Sequence, residues 1–392
     1  MKKSVSLLAA VLVGTSLFSG CAKSTATGSN GNGGAETIKI GLNYELSGGV
    51  ATYGQSIVQG IELAFEEINK DGGVLNKKIE AVKIDNKSDS QEAANVSTKL
   101  ATKEKVALML GPATSGNTKA ATPPATQYKV PLISASATAD DVTVDKNSKV
   151  RDYIFKTCFS DSFQGVIMAN FAYNDLSAKN AAILQDASSD YSKGLTKSFK
   201  EKYAALGGKV VDEEAYKSKD TDFKAVLTKI KAANPSVLFV PGYYEEVGLI
   251  VKQAKELGLN VPVIGGDGYD SPKLVELAGK DALDQVYYTN HYSSLDTTAE
   301  VVKFKDAFKT KYSKEADAFN ALGYDLAYFA VDAIKRAGKV DSEAIKKALE
   351  ETKDFNAVTG KFSIDKTHNP VKSITVLEWK KGELTFVKKV NP

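Results

Sequence analysis

The chain has 392 residues, and its 51 basic and 48 acidic side chains give a formal net charge of +3. Among the basic residues only Arg151 and Arg336 are arginine, the side chain whose planar fork suits bidentate recognition of phosphate and guanine. This composition argues against nucleic acid as the main partner. The lysines are instead expected to form a solvated surface.

The first 21 residues have the pattern of an export signal. Lys2 and Lys3 precede an apolar run at 5 to 18, which is followed by two small residues and Cys21. The run is about 14 residues long, shorter than the roughly 20 that a membrane-spanning helix needs. The junction resembles a bacterial lipobox, which implies a lipoprotein signal peptide at 1–21 and lipidation of Cys21. The alternative, a soluble secreted protein in which Cys21 is incidental, stays open.

The segment 22–36 is rich in Ser, Thr, Gly, Asn and Ala, a composition typical of a flexible tether. We therefore expect an extracytoplasmic protein attached to the cell membrane by its lipid alone. The ~355 residues that follow exceed the size at which one core usually stops growing, so two domains are expected. Because Cys158 is the only other cysteine, no disulfide is expected within them.

From Thr37 onward, short β-like runs alternate with amphipathic helical runs. Ile38, Ile40 and Leu42 recur at period two and predict the first strand. Strands are predicted at 37–43, 78–84, 106–110, 131–135, 181–185, 209–215, 237–241, 262–266 and 285–290. Helices are predicted between them, at 57–69, 90–103, 117–128, 191–206, 221–233, 245–257 and 272–279. This alternation predicts an α/β fold with doubly wound parallel sheets.

Two features depart from this alternation. Pro123 and Pro124 fall inside one predicted helix and predict that it kinks or restarts there. After residue 298 the order changes to consecutive helices followed by short strands. The helices are predicted at 298–312, 319–337 and 342–352, and the strands at 361–365, 373–379 and 384–388.

Ligands of open parallel sheets bind beyond the carboxyl ends of the strands, where loops present backbone amides and helix amino termini. The loops that follow the predicted strands share small residues, hydroxyls, tyrosines and one carboxylate; they lie at 46–54, 111–116, 134–138, 242–244 and 265–268. Hydroxyls and amides can donate to a carboxylate, the acidic residue can accept from an ammonium, and tyrosines can enclose an apolar side chain. The set therefore matches a zwitterion with a hydrocarbon tail.

In this order, the motifs resemble the branched-chain amino acid (Leu/Ile/Val) binding proteins of ABC transporters. The supporting segments spell EEIN followed by GG at 66–73, GPATS at 111–115, DSFQG at 161–165, TDF at 221–223 and PGYY at 241–244. The resemblance implies a type I periplasmic-binding-protein fold, in which two lobes are joined by three crossovers, here near 158–161, 290–292 and 365–369. Lobe I would comprise 37–159 plus 291–365, and lobe II 160–290 plus 366–392.

The same resemblance implies a function and a site. The protein would capture leucine, isoleucine or valine between its lobes and deliver the ligand, as a monomer, to the permease subunits of an ABC transporter. Ser115 and Thr138 would bind the ligand carboxylate with backbone groups at Ser136 and Ala137, and Asp267 would bind the ammonium. The aromatic side chains around the ligand would be those of Tyr53, Tyr191, Tyr243 and Phe319. Many relatives have Glu at the acidic position, so Asp267 shortens the reach by one methylene.

Each of these side chains also has a purely structural interpretation. Asp267 can cap the helix near 272 or hold a turn, and Ser115 and Thr138 can be helix caps. The three tyrosines can be ordinary half-buried aromatics, and Phe319 can be a core residue at the start of a helix. A ligand-sensing protein for another small amino acid or amide, with the same fold, is the alternative function.

Catalysis is not expected, because the sequence contains no G-x-S-x-G elbow, no G-x-x-x-x-G-K-[ST] phosphate loop and no H-E-x-x-H zinc pair. Cys158 is expected to be a small packed side chain rather than a nucleophile. His291 and His368 are too few and too far apart in sequence to predict a metal site, and His368 is expected in a turn. No cofactor is expected.

Overall fold

A computed structural model describes residues 37–391 of the chain. Its first sheet has five parallel strands in the order β2-β1-β3-β4-β5. These strands are β1 (Thr37–Tyr44), β2 (Lys78–Asp85), β3 (Leu108–Leu110), β4 (Leu132–Ser134) and β5 (Ile154–Lys156). All residues of the last three strands are buried, as expected for the interior of a parallel sheet that is covered on both faces.

The second sheet has seven strands in the order β14-β13-β10-β9-β8-β6-β7. The parallel ones are β6 (Asn180–Asp186), β7 (Lys209–Tyr216), β8 (Val237–Phe239), β9 (Val263–Gly265) and β10 (Val286–Asn290). A two-stranded ribbon of β11 (Ser363–Ile364) and β12 (Pro370–Val371) comes next, and β13 (Ile374–Lys380) and β14 (Glu383–Val390) then complete the sheet as an antiparallel hairpin beside β10. The α/β class is therefore confirmed, with an antiparallel edge on the second sheet.

Eleven α-helices cover these sheets within the described residues. They are α1 (Ala51–Lys70), α2 (Ser90–Lys99), α3 (Ser115–Gln127), α4 (Asp161–Asn170), α5 (Asp190–Ala205), α6 (Lys224–Ala232), α7 (Tyr244–Glu256), α8 (Pro272–Ala278), α9 (Ala299–Tyr312), α10 (Ala318–Ala337) and α11 (Ser342–Glu350). The helices α2 and α4 each continue into a short π-helical turn, at Leu100–Glu104 and Phe171–Asp175.

The helices α1 and α10 cross in very close contact because glycines lie at the crossing. A Cβ atom on Gly60 would lie 2.0 Å from the carbonyl oxygen of Asn320, and one on Gly323 would lie 2.0 Å from that of Ile57. No side chain is tolerated at such a distance. The late helix α10 is thereby fixed against the first helix of the chain, and its amino terminus is placed close to that of α1.

Parts of the sequence-based prediction were wrong. The structure forms one helix over Ser115–Gln127, so of the two effects predicted for the prolines at 123 and 124, a kink or a restart, the restart does not occur. The Thr122 hydroxyl donates to the Thr118 carbonyl oxygen at 2.9 Å, one turn earlier, next to the positions where the prolines remove backbone donors. In addition, the prediction left out β5, α4 and β12.

Candidate functional site

The loops after β3 and β4 bring together the residues expected to bind a carboxylate. The Ser115 hydroxyl oxygen accepts from the backbone N–H of Ala139 at 3.1 Å, which fixes the start of α3 beside residue 138. The Ser136 hydroxyl donates to the Ala113 carbonyl oxygen at 2.8 Å and joins the same two loops. All four residues, Ser115, Ser136, Ala137 and Thr138, are buried. Ser115 is the first residue of α3, and the cap position before it is occupied by Thr114, so Ser115 is not the cap of this helix.

Glu45 holds this region in place, although no pattern in the sequence singles it out. This carboxylate, directly after β1, is completely buried. It accepts from the backbone N–H groups of Ala113 and Thr114 at 2.9 and 3.1 Å, from the Thr114 hydroxyl at 2.9 Å and from the Asn117 amide at 2.8 Å. A negatively charged hydrogen-bond acceptor at a helix amino terminus satisfies backbone donors that the helix itself leaves unpaired. Glu45 thus orients the loop that carries Ser115.

Asp267 lies in a short helical turn after β9, on the second sheet, and is buried. Its Oδ1 accepts from the Tyr191 hydroxyl at 2.9 Å, and its Oδ2 lies 3.0 Å from Nε2 of His291. Its backbone N–H donates to Oε1 of Gln164 at 3.1 Å. The cap of helix α8 is Ser271 instead, which accepts from the Lys273 N–H at 3.2 Å. The structural interpretation of Asp267 as the cap of this helix is therefore wrong.

The four aromatic residues form one continuous cluster. The Tyr53 ring stacks on Phe319 with centroids 4.4 Å apart and meets the edge of Tyr243 at 5.7 Å. Tyr243 in turn stacks on Tyr191 at 5.0 Å. Because Tyr53 and Tyr191 are each only 2% exposed, they are not half-buried surface aromatics. Tyr243 is half-buried, and Phe319 belongs both to this cluster and to the main hydrophobic core.

This cluster connects helices of the first sheet to loops of the second. Tyr53 on α1 donates from its hydroxyl to the Gly268 carbonyl oxygen at 2.5 Å, and the same hydroxyl oxygen accepts from the Tyr244 N–H at 3.3 Å. The Tyr244 hydroxyl donates to the Gly49 carbonyl oxygen at 3.0 Å. The facing loops are therefore in direct contact in this structure.

Asp161 is the first residue of α4. It lies between Asp267 and the loops after β3 and β4. Its N–H donates to the Thr138 carbonyl oxygen at 2.9 Å, and its Oδ1 accepts from the side-chain amide of Gln164 at 3.4 Å. Complete burial, together with the nearby charge of Asp267, raises the pKa of Asp161 well above its ordinary value. Its Oδ2 is buried without a hydrogen-bond partner among the described residues. Asp161 begins the DSFQG segment, and the sequence alone predicts no role for it.

Three further observations concern the thiol of Cys158, metal binding and membrane-spanning helices. Burial raises the pKa of the Cys158 thiol to about 12, so it stays protonated and unreactive. Within residues 37–391, no three His, Cys, Asp or Glu side chains are grouped so that they can hold a metal ion. None of the helices in that same range is both long and apolar enough to cross a bilayer. Cys21 and the segments 1–21 and 22–36 lie outside the described residues.

Comparisons with known proteins agree with this architecture. The branched-chain amino acid transporter substrate-binding protein LivJ of Streptococcus pneumoniae, solved with isoleucine, is 42% identical, with a TM-score of 0.86; the match covers 91% of this chain and all of that one. The leucine-binding protein LivK of Thermotoga maritima is 36% identical, with a TM-score of 0.85 and coverage of 91% and 99%.

A curated relative, the leucine-, isoleucine-, valine-, threonine- and alanine-binding protein of Pseudomonas aeruginosa, is 30% identical over 348 residues, which are 88% of this chain and 91% of that protein. The model of the periplasmic binding protein family matches residues 37–383. The two-lobed fold that the sequence motifs implied is thereby confirmed. The chain belongs to the periplasmic binding protein family.

Proposed function

We propose that this protein binds leucine, isoleucine or valine between its lobes and delivers the amino acid to the permease subunits of an ABC transporter. The observation that carries the proposal is the position of Asp161. The Asp161 N–H donates to the Thr138 carbonyl oxygen, and the Gln164 side chain links Asp161 to Asp267: its Nε2 donates to Oδ1 of Asp161 at 3.4 Å and its Oε1 accepts from the Asp267 N–H at 3.1 Å. The two groups of polar residues therefore lie close together. One group offers hydroxyls and the other carboxylates, as the two ends of a zwitterion require.

In this arrangement the ligand carboxylate accepts from Ser115 and Thr138 and from backbone groups at Ser136 and Ala137. The ammonium donates to Asp267, whose oxygens keep lone pairs free beyond the bonds to Tyr191 and His291. The unpartnered Oδ2 of Asp161 is a second acceptor close to that end. The hydrocarbon side chain packs among Tyr53, Tyr191, Tyr243 and Phe319. The names of the relatives above, which include leucine, isoleucine and valine, support this ligand class.

Binding is proposed to favour a closed form of the two lobes, with lobe I at 37–159 plus 291–365 and lobe II at 160–290 plus 366–392. A ligand that touches both lobes only in the closed form shifts the equilibrium toward it. The bonds from Tyr53 to Gly268 and from Tyr244 to Gly49 have the character of closed-form contacts. We further propose that the protein acts as a monomer outside the cytoplasm, that Cys21 carries a lipid anchor, and that no catalytic step is involved.

The direct test is isothermal titration calorimetry of ligand-stripped protein with each of the twenty amino acids. Leucine, isoleucine and valine are expected to bind most tightly. 4-Methylpentanoate, which is leucine without its amino group, serves as a matched control and is expected to bind far more weakly. Tighter binding of a polar or charged amino acid, or equal binding of leucine and 4-methylpentanoate, would overturn the proposal.

A further inference from the structure

His291 is buried beside the residue proposed to hold the ligand ammonium. It follows directly after β10, in the connection that leads from the second sheet to α9, and only 4% of its surface is exposed. Its ring stacks on Phe159, with centroids 3.6 Å apart and planes within 12°. Phe159 lies in another connection, the one between β5 and α4. The ring thus joins two of the segments that link the sheets, while its Nε2 reaches Asp267.

The hydrogen bonding fixes the form of this imidazole. Burial lowers the pKa of His291 to about 4 against the opposing effect of Asp267, so the ring is neutral at neutral pH. Because Oδ2 of Asp267 is an acceptor, Nε2 carries the hydrogen and Nδ1 is left as an acceptor. This Nδ1 has no partner among the described residues. His291 therefore donates one hydrogen bond, from Nε2 to Asp267.

We propose that His291 is a positioning residue that holds the Asp267 carboxylate in the orientation required by the ligand ammonium. The inference rests on the proposed function. Tyr191 binds one oxygen of Asp267 and His291 the other, so the carboxylate cannot rotate without breaking one of two buried bonds. A group that is already ordered loses less freedom when the ligand arrives, which raises affinity.

The chain offers a matched control in its only other histidine. His368 is also buried in a connecting segment, and its ring stacks on Phe155 at 4.1 Å, within 8° of parallel. Its Nδ1 lies 3.0 Å from the Ile154 carbonyl oxygen and its Nε2 3.3 Å from Glu350. Neither nitrogen is bonded to a residue of the candidate site. A variant of His368 therefore disturbs a similar buried stack without affecting Asp267.

The test compares leucine affinity and Tm in His291→Gln, His291→Asn and His368→Asn. Glutamine can place an N–H donor near the position of Nε2, whereas asparagine is too short to reach it. We expect His291→Asn to weaken leucine binding about 10- to 100-fold, the loss typical of a hydrogen bond to a charged group. The leucine affinity of His291→Gln should stay within about threefold of that of the wild type. The same is expected for His368→Asn, even if its Tm falls as much as that of His291→Asn.

Two outcomes would overturn the inference: equal losses in His291→Asn and His291→Gln, or a loss in His368→Asn as large as in His291→Asn. If His291→Asn does not fold, Phe159→Leu removes the stack instead, and unchanged leucine affinity in that variant counts against the inference. The Asp267→Asn variant distinguishes a failure of the proposed ammonium site from a failure of the role assigned to His291. If that variant binds leucine normally, the proposed ammonium site itself is wrong; if it binds weakly while His291→Asn binds normally, only the role of His291 is wrong.

Discussion

Oδ2 of Asp270 accepts a hydrogen bond at 2.9 Å from the backbone N–H of Ala318, the first residue of α10. The bond joins the loop after β9 to a helix that packs on α1. The side chain of Asn290 donates to the same oxygen at 2.9 Å. Burial and the charge of Asp317 raise the pKa of Asp270 to about 7, and burial also raises the pKa of Asp317 against the opposing hydrogen bond from Ser56. Two carboxyl groups thus share one half-buried interface.

This pair predicts that lobe closure takes up a proton. In an open form Asp270 is solvated and its pKa returns toward 3.8, so the closed form binds the proton more tightly. Protonation of Asp270 stabilises the closed form fully at a pH below the pKa that this carboxyl group has in the open form. This stabilisation is lost as the pH rises through about 7. Leucine affinity is expected to fall between pH 5 and 7, by at most about tenfold per pH unit.

Calorimetry of the wild type and Asp270→Asn across that pH range checks this prediction, and the variant is expected to show a flatter profile. His291 contributes an opposite dependence, because its pKa is lowered. That contribution is common to both proteins and cancels in the difference between them. Identical slopes for the two proteins would contradict proton uptake at Asp270.

Replacing Asp267 by alanine is expected to weaken leucine binding severely. Removing one partner of a buried charged pair costs roughly 2 to 5 kcal/mol, which corresponds to a loss of about 30-fold to several thousand-fold in affinity. Titration calorimetry measures the loss. Asp222→Ala, at an exposed acidic residue of the second lobe, is the control and should bind leucine as the wild type does. Normal leucine affinity in Asp267→Ala would remove this residue from the site.

The ring of Tyr53 is expected to contribute to side-chain selectivity. Tyr53→Ala removes a ring that stacks on Phe319 and should therefore cost more affinity for leucine, which has the larger hydrocarbon, than for alanine. Tyr53→Phe keeps the ring but loses the bond to Gly268, so both ligands should lose about the same factor, roughly 2- to 10-fold. Equal losses for the two ligands in Tyr53→Ala would show that the ring does not touch the ligand side chain.

Glu45 is expected to stabilise the fold itself. Glu45→Ala leaves the donors of Ala113, Thr114 and Asn117 buried without their acceptor, and we expect the free energy of unfolding to fall by about 3 kcal/mol or more. Glu80→Ala, at an exposed position on β2, should change it by no more than about 0.5 kcal/mol. Urea unfolding curves measure both, and a small effect of Glu45→Ala would contradict the role assigned to its four hydrogen bonds.

Much of the fold could be predicted from the periodic spacing of apolar residues. The alternation of Ile38, Ile40 and Leu42 predicted β1 almost to its observed ends, and the second strand was predicted over 78–84 against Lys78–Asp85 in the structure. A strand of three residues has no measurable period of its own, so it is predicted only where it lies in a longer apolar run. The strands β3, β4, β8 and β9 lie in such runs, whereas β5 was not predicted because Arg151 and Asp152 precede it closely and its last residue is Lys156.

The site was less readable, because several of its contacts join residues far apart in the chain. The hydroxyl-rich loops and Asp267 were recognised as local patterns that resemble a known family. His291 approaches Asp267 only because β9 and β10 are adjacent in the sheet, and Asp161 gains its position from the way α4 begins beside Thr138. A lone histidine or aspartate in a sequence gives no sign of such neighbours.

The antiparallel hairpin formed by β13 and β14 has a consequence for the behaviour of the protein at high concentration. β14 is the outermost strand of its sheet, and an outer strand offers unpaired backbone groups that can recruit strands of other molecules and start aggregation. Lys388 and Lys389 lie on this strand, and the register shift between Val376 and Leu377 disturbs the regular ladder beside it. Charge and irregularity of this kind discourage intermolecular pairing, so the protein can reach high concentration without associating through this edge.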